Sequence, residues 1–239
     1  MKIMVMGSGG VGGFFGAKLA RAGHNVYFIA RGKHLEAIKK EGLKVISELG
    51  NLHINPSKAT DNPKDFEIPD IILLCVKAYD IELSCKLIKP LVGPNTGVIP
   101  LLNGITHIEI MQNILGKNNV TGGVAAISAL IEEPGVIIHN STMQMLKFGE
   151  INNEASIRIK EFQKACNEAG INNNIPNDIQ CDMWQKLILM CSLAGVNCLT
   201  RLPLGPCRDN PSTRILLEKI AAEIISISFS STAISLKIL

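Results

Sequence analysis

The chain has 239 residues, of which 46% are hydrophobic and 19% are charged, and its formal net charge is +3. This composition supplies enough apolar surface for a folded core and excludes an intrinsically disordered protein. Because the lysines and arginines are spread along the chain and form no basic stripe, we expect an anionic small ligand and no nucleic-acid partner.

The first predicted unit is a strand, a glycine turn, a helix and a second strand. Residues 2–6 form a short apolar run that stops at Gly7, which is typical of a buried parallel strand. A helix follows the glycines and stops at Ala22-Gly23. Residues 25–29 then form the second strand. The unit is about 30 residues long, the size of a βαβ crossover.

Further strands are predicted from apolar runs that helical or loop segments separate, at Leu43–Ile46, Ile71–Val76 and Val98–Leu102. The Ile71–Val76 run is apolar on both faces, as a central strand must be when helices cover both sides of the sheet. Two β-rich runs follow, Val124–Ile131 and Val136–Phe148. The turn signal Glu133-Pro134-Gly135 between them predicts a hairpin.

The pattern becomes helical after the asparagine-rich segment at residues 172–176. Helices are predicted at about Ile179–Ala194 and Pro211–Ala233, with a break at Pro203, Gly205 and Pro206. The fold class is therefore α/β, with a Rossmann-type dinucleotide-binding domain at residues 1–174 and an all-helical domain at residues 175–239. The charge-free stretch Ile224–Leu236 is shorter than the roughly 20 residues that span a bilayer, so we expect a buried helix and no membrane association.

Seven cysteines, an odd number, occur without a CxxC pair and without a Cys/His cluster at metal-ligand spacing. Several lie in apolar runs, where a free thiol packs as a small hydrophobic group. This usage favours a reducing compartment and argues against a disulfide scaffold or a metal site. We therefore expect a cytoplasmic protein without bound metal.

A glycine loop follows the first strand and matches the pattern GxGxxG with Gly7, Ser8, Gly9, Gly10, Val11 and Gly12. In this pattern the first glycine permits a tight turn, the second lets the backbone approach a pyrophosphate, and the third lets helix and strand pack closely. The N–H groups of the helix that opens here then face the phosphates. The pattern alone also occurs by chance, but here it follows a strand and opens a helix, which indicates dinucleotide binding.

The end of the second strand carries Arg31 and no acidic residue. A site selective for NAD usually places Asp or Glu there, where the carboxylate binds the ribose 2′-hydroxyl. A guanidinium instead offers two hydrogen bonds to a phosphate. We therefore predict that Arg31 binds the 2′-phosphate of NADPH, the alternative being an ordinary exposed arginine.

The chain resembles the ketopantoate reductase (2-dehydropantoate 2-reductase) family in four segments that follow in the family's order and at similar spacing: GSGGVGGFFGAKLARAGHNVYFIARGKHLEAI, CVKAYD, LLNG and DMWQKL. The resemblance covers the chain from Met1 to about residue 239. It implies a Rossmann domain followed by a helical domain, and NADPH-dependent reduction of 2-dehydropantoate to pantoate, a step toward pantothenate and coenzyme A. Among the residues, it implies that the glycine loop holds the pyrophosphate and that Arg31 and Lys77 meet the adenosine phosphate end.

The resemblance also implies that Asn103 lies near the nicotinamide and the substrate, and that Lys186 is the catalytic acid. Lys77 and Asn103 directly follow predicted strands, and open α/β sheets bind ligands at the carboxyl ends of their strands. Simpler alternatives are a solvated loop lysine at 77, a turn at Asn103-Gly104, and a Lys186 side chain that extends to water from an apolar helix.

Two features depart from the family. Its substrate-binding asparagines one and two turns after the catalytic lysine are Met190 and Ala194 here, and a later asparagine corresponds to Leu204. Asn197 and Arg201 are candidates to replace these contacts. The substrate is therefore 2-dehydropantoate or a different 2-oxo acid.

The second departure is length, because the family's late serine and glutamate lie beyond Leu239. A helical domain that ends there would expose apolar surface. We expect either a truncated product or a second subunit, as in a homodimer, that covers this surface. The alternative to an active enzyme is a non-catalytic remnant that still binds NADPH.

Overall fold

A computed structural model describes residues 1–55 and 58–231. The chain forms two compact units. The first comprises Met1–Leu102 and Thr106–Ile179, and the second combines Asn103–Ile105 with the helical region that begins at Gln180. Residues 232–239, which include the end of the predicted C-terminal helix, lie outside the described residues.

Ten strands form in the described residues: β1 (Lys2–Met6), β2 (Asn25–Ile29), β3 (Leu43–Ser47), β4 (Leu52–Ile54), β5 (Lys58–Thr60), β6 (Ile71–Leu74), β7 (Gly97–Pro100), β8 (Thr121–Glu133), β9 (Val136–Glu150) and β10 (Asn172–Asn174). The same residues form eight α-helices: α1 (Gly10–Arg21), α2 (Gly32–Glu41), α3 (Ile81–Ile88), α4 (His107–Leu115), α5 (Ile157–Glu168), α6 (Ile179–Thr200), α7 (Leu204–Asp209) and α8 (Pro211–Ser231). The predicted N-terminal unit is confirmed, since β1, α1 and β2 follow one another as expected.

The first sheet has the strand order β5-β2-β1-β6-β7, and all of its strands are parallel. Counted along the chain within this sheet, the order is third, second, first, fourth and fifth, as in a Rossmann-type dinucleotide-binding domain. The order reverses between β1 and β6. Ligands of open α/β sheets bind outside the carboxyl ends of the strands at such a point.

Side chains of β1 alternate between two apolar cores. Ile3 and Val5 pack with α1 in one hydrophobic cluster, and Met4 and Met6 belong to a second cluster with residues of α3 and α4. All four are buried. Because helices cover both faces of the sheet, the strand needs apolar residues at every position, which explains the continuous run that predicted it.

The second sheet is built on the long β8–β9 hairpin. The two strands are antiparallel and turn after Glu133, which confirms the predicted hairpin. The first part of β9 pairs in parallel with β3, and a later part pairs in parallel with β10. The strand predicted at Leu43–Ile46 is therefore present, but it belongs to this second sheet.

The helical unit differs from its prediction in two places. Helix α6 continues to Thr200 instead of stopping near Ala194. The chain does break at residues 201–203, which include Pro203, but Gly205 and Pro206 lie in the short helix α7. Apolar side chains are exposed on this unit, including Leu199 at 76% and Ile227 at 57%. The expected burial of the stretch from Ile224 is confirmed only in part, because Ser228 is buried and Ile224 and Ile225 are half-buried, whereas Ile227 is exposed. Among the described helices, each is too short or too polar to cross a bilayer.

A buried ion pair fastens α5 to the rest of the first unit. Arg158 donates from Nε and Nη2 to the two carboxylate oxygens of Glu150, at 2.8 and 2.7 Å. The guanidinium also donates to the carbonyls of Thr96 and Asn118, and the Ser156 hydroxyl donates to Glu150. Side-chain exposure is only 16% for Arg158 and 11% for Glu150. Removal of either partner would leave a charge buried without its counter-ion.

We predict that Arg158→Met lowers the free energy of unfolding by about 3–5 kcal/mol, because the Glu150 carboxylate loses its bidentate partner in a buried setting. Urea unfolding measures this loss. Lys86→Met is the matched control, since the pair of Lys86 with Glu82 on α3 is exposed and should leave the unfolding midpoint nearly unchanged. A loss for Arg158→Met as small as that of the control would contradict a structural role for the buried pair.

Candidate dinucleotide site

The glycine loop lies where β1 ends and α1 begins. Gly7 has φ +97°, in the left-handed region that favours glycine, and a Cβ there would lie 2.9 Å from the carbonyl oxygen of Cys75. The amide of Cys75 in turn donates to the Met6 carbonyl at 2.8 Å, which keeps the ends of β1 and β6 side by side. The loop therefore sits at the reversal point of the strand order.

The three motif glycines have different surroundings. A Cβ at Gly12 would lie 2.2 Å from the Gly7 carbonyl oxygen, so only glycine lets α1 pack this closely. A Cβ at Gly9 would meet nothing within 4 Å. The third glycine thus serves helix packing and the second faces open space, as a loop that receives a pyrophosphate requires. Gly10 is also confined, because a Cβ there would lie 2.2 Å from the carbonyl oxygen of Ala129 in β8.

The N-terminus of α1 is suited to an anion. Its N-cap residue is Gly9, no side chain caps it, and its first turn carries no acidic residue. The first N–H groups of a helix have no partner within the helix, and the helix dipole places partial positive charge there. The loop and this helix end therefore fit the pyrophosphate of a dinucleotide.

Ser8 holds the loop to the end of β2. Its hydroxyl and its amide both donate to the Ile29 carbonyl, at 3.1 and 3.0 Å, and its side chain is buried. The amide of Gly7 donates to the same carbonyl at 3.2 Å. Contacts to a phosphate are therefore left to Gly9 and to the first turn of α1, where Val11 is half-buried.

Arg31 and Lys77 are the cations nearest in sequence to this edge of the sheet. Arg31 follows β2 as the exposed N-cap residue of α2, and Lys77 follows β6 as an exposed residue at the start of a 3-10 turn. In the described part of the chain, neither side chain forms an ion pair. Both are thus available to a phosphate at the carboxyl ends of β2 and β6.

Asn103 and Lys186 belong to the second unit. Asn103 is exposed and lies in a bend, and the Gly104 that follows has a φ of +96°, in the left-handed region that favours glycine. Lys186 is half-buried in α6, and this burial lowers the pKa of its ammonium below the usual value of 10.5. The remaining predicted site residues, the glycine loop, Arg31 and Lys77, belong to the first unit.

The positions that depart from the family pattern are also in the second unit. Met190 and Ala194 are exposed on α6, and Leu204 is exposed at the start of α7. Asn197 has a buried side-chain oxygen without a hydrogen-bond partner, and Arg201 is exposed with φ +57°. Of the two candidate replacements, Arg201 is therefore accessible to a ligand, whereas the side-chain oxygen of Asn197 is buried.

His34 is a residue of the site that the sequence analysis did not single out. Its Nε2 lies 2.8 Å from the Ser8 carbonyl oxygen, and the Gly135 amide donates to its Nδ1 at 3.0 Å. Burial lowers the pKa of His34, and the hydrogen bond to Ser8 opposes this effect only in part. No signal in the local sequence could have identified it, because both partners lie far away along the chain.

A cavity of about 820 Å³ lies elsewhere in the first unit, with Asp70, Asn95, Glu150 and Arg158 in its wall. Asp70 precedes β6 and Asn95 precedes β7, so the cavity opens at the amino ends of these strands. The Arg158 guanidinium is already bound to Glu150 there. Because α/β sheets bind ligands at the opposite edge, the glycine loop is the better candidate site.

Comparisons with known proteins agree with this geometry. The family model described as Ketopantoate reductase PanE/ApbA matches residues 3–153, and the model of the C-terminal domain of the same family matches residues 178–237. The "Uncharacterized oxidoreductase YkpB" of Bacillus subtilis is 32% identical over 228 residues, which are 95% of this chain and 74% of that protein.

Solved structures give the same result. The crystal structure of 2-dehydropantoate 2-reductase from Porphyromonas gingivalis W83 is 34% identical with a TM-score of 0.85, and the match covers 92% of this chain and 80% of that one. The ternary structure of D-mandelate dehydrogenase with NADH and anilino(oxo)acetate has a TM-score of 0.81 at 20% identity, covers 95% of this chain and 79% of that one, and shares the fold alone. The chain therefore belongs to the ketopantoate reductase family of nicotinamide-dinucleotide-dependent oxidoreductases.

Proposed function

We propose that this protein reduces 2-dehydropantoate to pantoate with NADPH, a step toward pantothenate and coenzyme A. One observation carries the proposal beyond family membership. The glycine loop sits at the reversal point of a parallel sheet, and an exposed arginine stands at the end of β2 where an NAD site has an acid.

The choice of NADPH rests on Arg31 and Lys77. The loop and the helix end offer backbone N–H groups, which bind the pyrophosphate of either dinucleotide equally well. D-mandelate dehydrogenase has the same fold and was solved with NADH, so the fold does not select the cofactor. A guanidinium at position 31 attracts the 2′-phosphate that only NADPH carries.

Lys186 is the proposed general acid. NADPH held by the glycine loop, Arg31 and Lys77 would supply the hydride that reduces the C2 carbonyl carbon of the 2-oxo acid. Negative charge then develops on the carbonyl oxygen, where the Lys186 ammonium stabilises it and donates a proton to complete the alcohol. Because burial lowers the pKa of Lys186, its proton leaves more readily than that of an exposed lysine. Asn103, in the same unit, is the proposed contact to nicotinamide and substrate.

We place the reaction in the cytoplasm, in line with the cysteine chemistry. All seven cysteines are free thiols. Burial raises the pKa of Cys85 to about 11 and that of Cys166 to about 12, so these thiols stay protonated and unreactive. The proposed partners are a small 2-oxo acid and, for the exposed apolar side chains of the helical unit, a second copy of the chain.

A reductase of a different 2-oxo acid is the second candidate, because Met190 and Ala194 present apolar groups where the family has asparagines. An assay of NADPH oxidation across a panel of 2-oxo acids separates the candidates. We expect turnover with 2-dehydropantoate. Turnover with other members of the panel alone would favour the second candidate, and cofactor binding without turnover of any acid would identify a non-catalytic remnant.

We predict that Arg31→Ala weakens NADPH binding about 10- to 100-fold, the range expected for loss of charge-assisted hydrogen bonds to a phosphate, and leaves NADH binding unchanged. Fluorescence titration with each nucleotide measures the two dissociation constants. Arg21→Ala is the control, since Arg21 is an exposed arginine at the far end of α1. Equal affinities of the wild type for NADPH and NADH would refute the assignment.

We predict that Lys186→Ala lowers turnover at least about 100-fold, as loss of a general acid does, while its affinity for NADPH stays within about twofold of the wild type. Steady-state kinetics and fluorescence titration measure the two effects. Lys219→Ala, at an exposed lysine of α8, is the matched control and should keep full turnover.

The pH profile of the wild type adds a second readout for Lys186. The acid donates only in its protonated form, so kcat/KM, which reports the free enzyme, should fall as the pH rises through the lowered pKa of Lys186, at a pH below 10.5. Intact turnover in Lys186→Ala, with the alkaline fall still present, would show that a different group is the acid.

A further inference from the structure

We propose that His34 is the positioning residue that aims the glycine loop at the dinucleotide. This inference rests on the proposed function, since it assumes that the pyrophosphate binds at the glycine loop. The side chain projects from the first turn of α2 and joins the loop to the turn of the β8–β9 hairpin.

The hydrogen-bond partners of His34 fix one form of its ring. The amide of Gly135 can only donate, so Nδ1, 3.0 Å away, must accept and carries no proton. The Ser8 carbonyl can only accept, so Nε2, 2.8 Å away, must donate. Only the neutral tautomer with its proton on Nε2 satisfies both contacts. The lowered pKa of His34, caused mainly by burial, favours this neutral form.

The hydrogen bond from His34 to the Ser8 carbonyl fixes the orientation of the Ser8–Gly9 peptide group, whose N–H is the one proposed to face a phosphate. The carbonyl of Ser8 and the N–H of Gly9 belong to one planar trans peptide, in which they point in opposite directions. His34 binds the carbonyl end, and the N–H of Gly9 is thereby directed away from His34. Around Gly9, a Cβ would meet nothing within 4 Å, so this side of the loop has room for a ligand.

The other hydrogen bonds of the loop lie before or after the Ser8–Gly9 peptide and do not fix its orientation. The amides of Gly7 and Ser8 and the Ser8 hydroxyl all donate to Ile29, which fixes the loop before the Ser8–Gly9 peptide. The first helical bond after it runs from the Gly13 amide to the Gly9 carbonyl at 2.6 Å. His34 supplies the hydrogen bond between these two anchors.

The turn of the β8–β9 hairpin, which binds Nδ1 of the His34 ring, is itself held in place by the rest of the first unit. The carbonyl of Gly135 accepts from the Lys44 amide at 2.9 Å, and a Cβ at Gly135, where φ is +84°, would lie 3.0 Å from the Ala37 Cβ. The turn is thus packed against α2 and bonded to β3. Because Arg31 is the N-cap residue of α2, the start of one helix carries both His34 and the proposed ligand of the 2′-phosphate.

Three substitutions separate positioning from packing. His34→Gln can place an amide N–H where Nε2 stands, whereas His34→Asn offers its carbonyl in place of Nδ1, and His34→Leu offers neither. We expect the dissociation constant for NADPH to rise about tenfold in the Asn and Leu variants, the effect of losing about one hydrogen bond, and to stay within about threefold of the wild type in the Gln variant. Fluorescence titration with NADPH gives the constants, and urea unfolding gives the stability of each variant.

The control is His53→Leu. The Nε2 of His53 lies 2.6 Å from the Glu41 carbonyl oxygen, so it is also a histidine bonded to backbone, but at the opposite end of α2. It should bind NADPH as tightly as the wild type. Equal NADPH affinity in the wild type and all three His34 variants would overturn the positioning role, and so would equal weakening in the Gln and Asn variants. A wild-type protein that binds no dinucleotide would overturn the proposed function and the role of His34 with it.

Discussion

The site depends on the close approach of α1 to the end of β1. The gap between Gly12 and the Gly7 carbonyl leaves no room for a Cβ, and the same holds for Gly16, where a Cβ would lie 2.6 Å from the ring of Phe28. Glycine at these positions lets the helix begin directly over the carboxyl end of the strand. The helix N-terminus then stands at the reversal point of the sheet, where backbone N–H groups and the helix dipole meet an anion.

Binding of the pyrophosphate and selection between NADPH and NADH depend on different parts of the chain. The backbone N–H groups of the glycine loop are available to the pyrophosphate. Contacts with β6, β2 and α2 hold this loop in place, so the loop needs little rearrangement to bind. Backbone groups cannot distinguish the two nicotinamide dinucleotides, because both carry the same pyrophosphate. In the proposed function, discrimination between the two dinucleotides falls to exposed side chains, above all Arg31. The second sheet supports the glycine loop through the β8–β9 hairpin, which contacts the loop at Gly10 and donates a hydrogen bond to His34.

Local signals predicted the N-terminal unit and the hairpin, because apolar runs bounded by glycine and proline determine those elements. Glycine and proline in the helical unit were less reliable predictors of where its helices end. Gly195 does not end α6, since its missing side chain accommodates Ile220 of α8, where a Cβ would lie 3.2 Å away. Pro206 does not prevent α7, because it stands in the first turn, where its missing N–H has no helical partner to lose. The glycine loop was predictable from a contiguous motif, whereas His34 was not, since its partners are 26 and 101 residues away.

A crystal structure of the protein with NADPH would show where each phosphate binds. We expect density for the pyrophosphate beside Gly9 and the first turn of α1, with the 2′-phosphate against the guanidinium of Arg31. Nucleotide bound at any other place, or bound at the loop with Arg31 turned into solvent, would contradict this expectation.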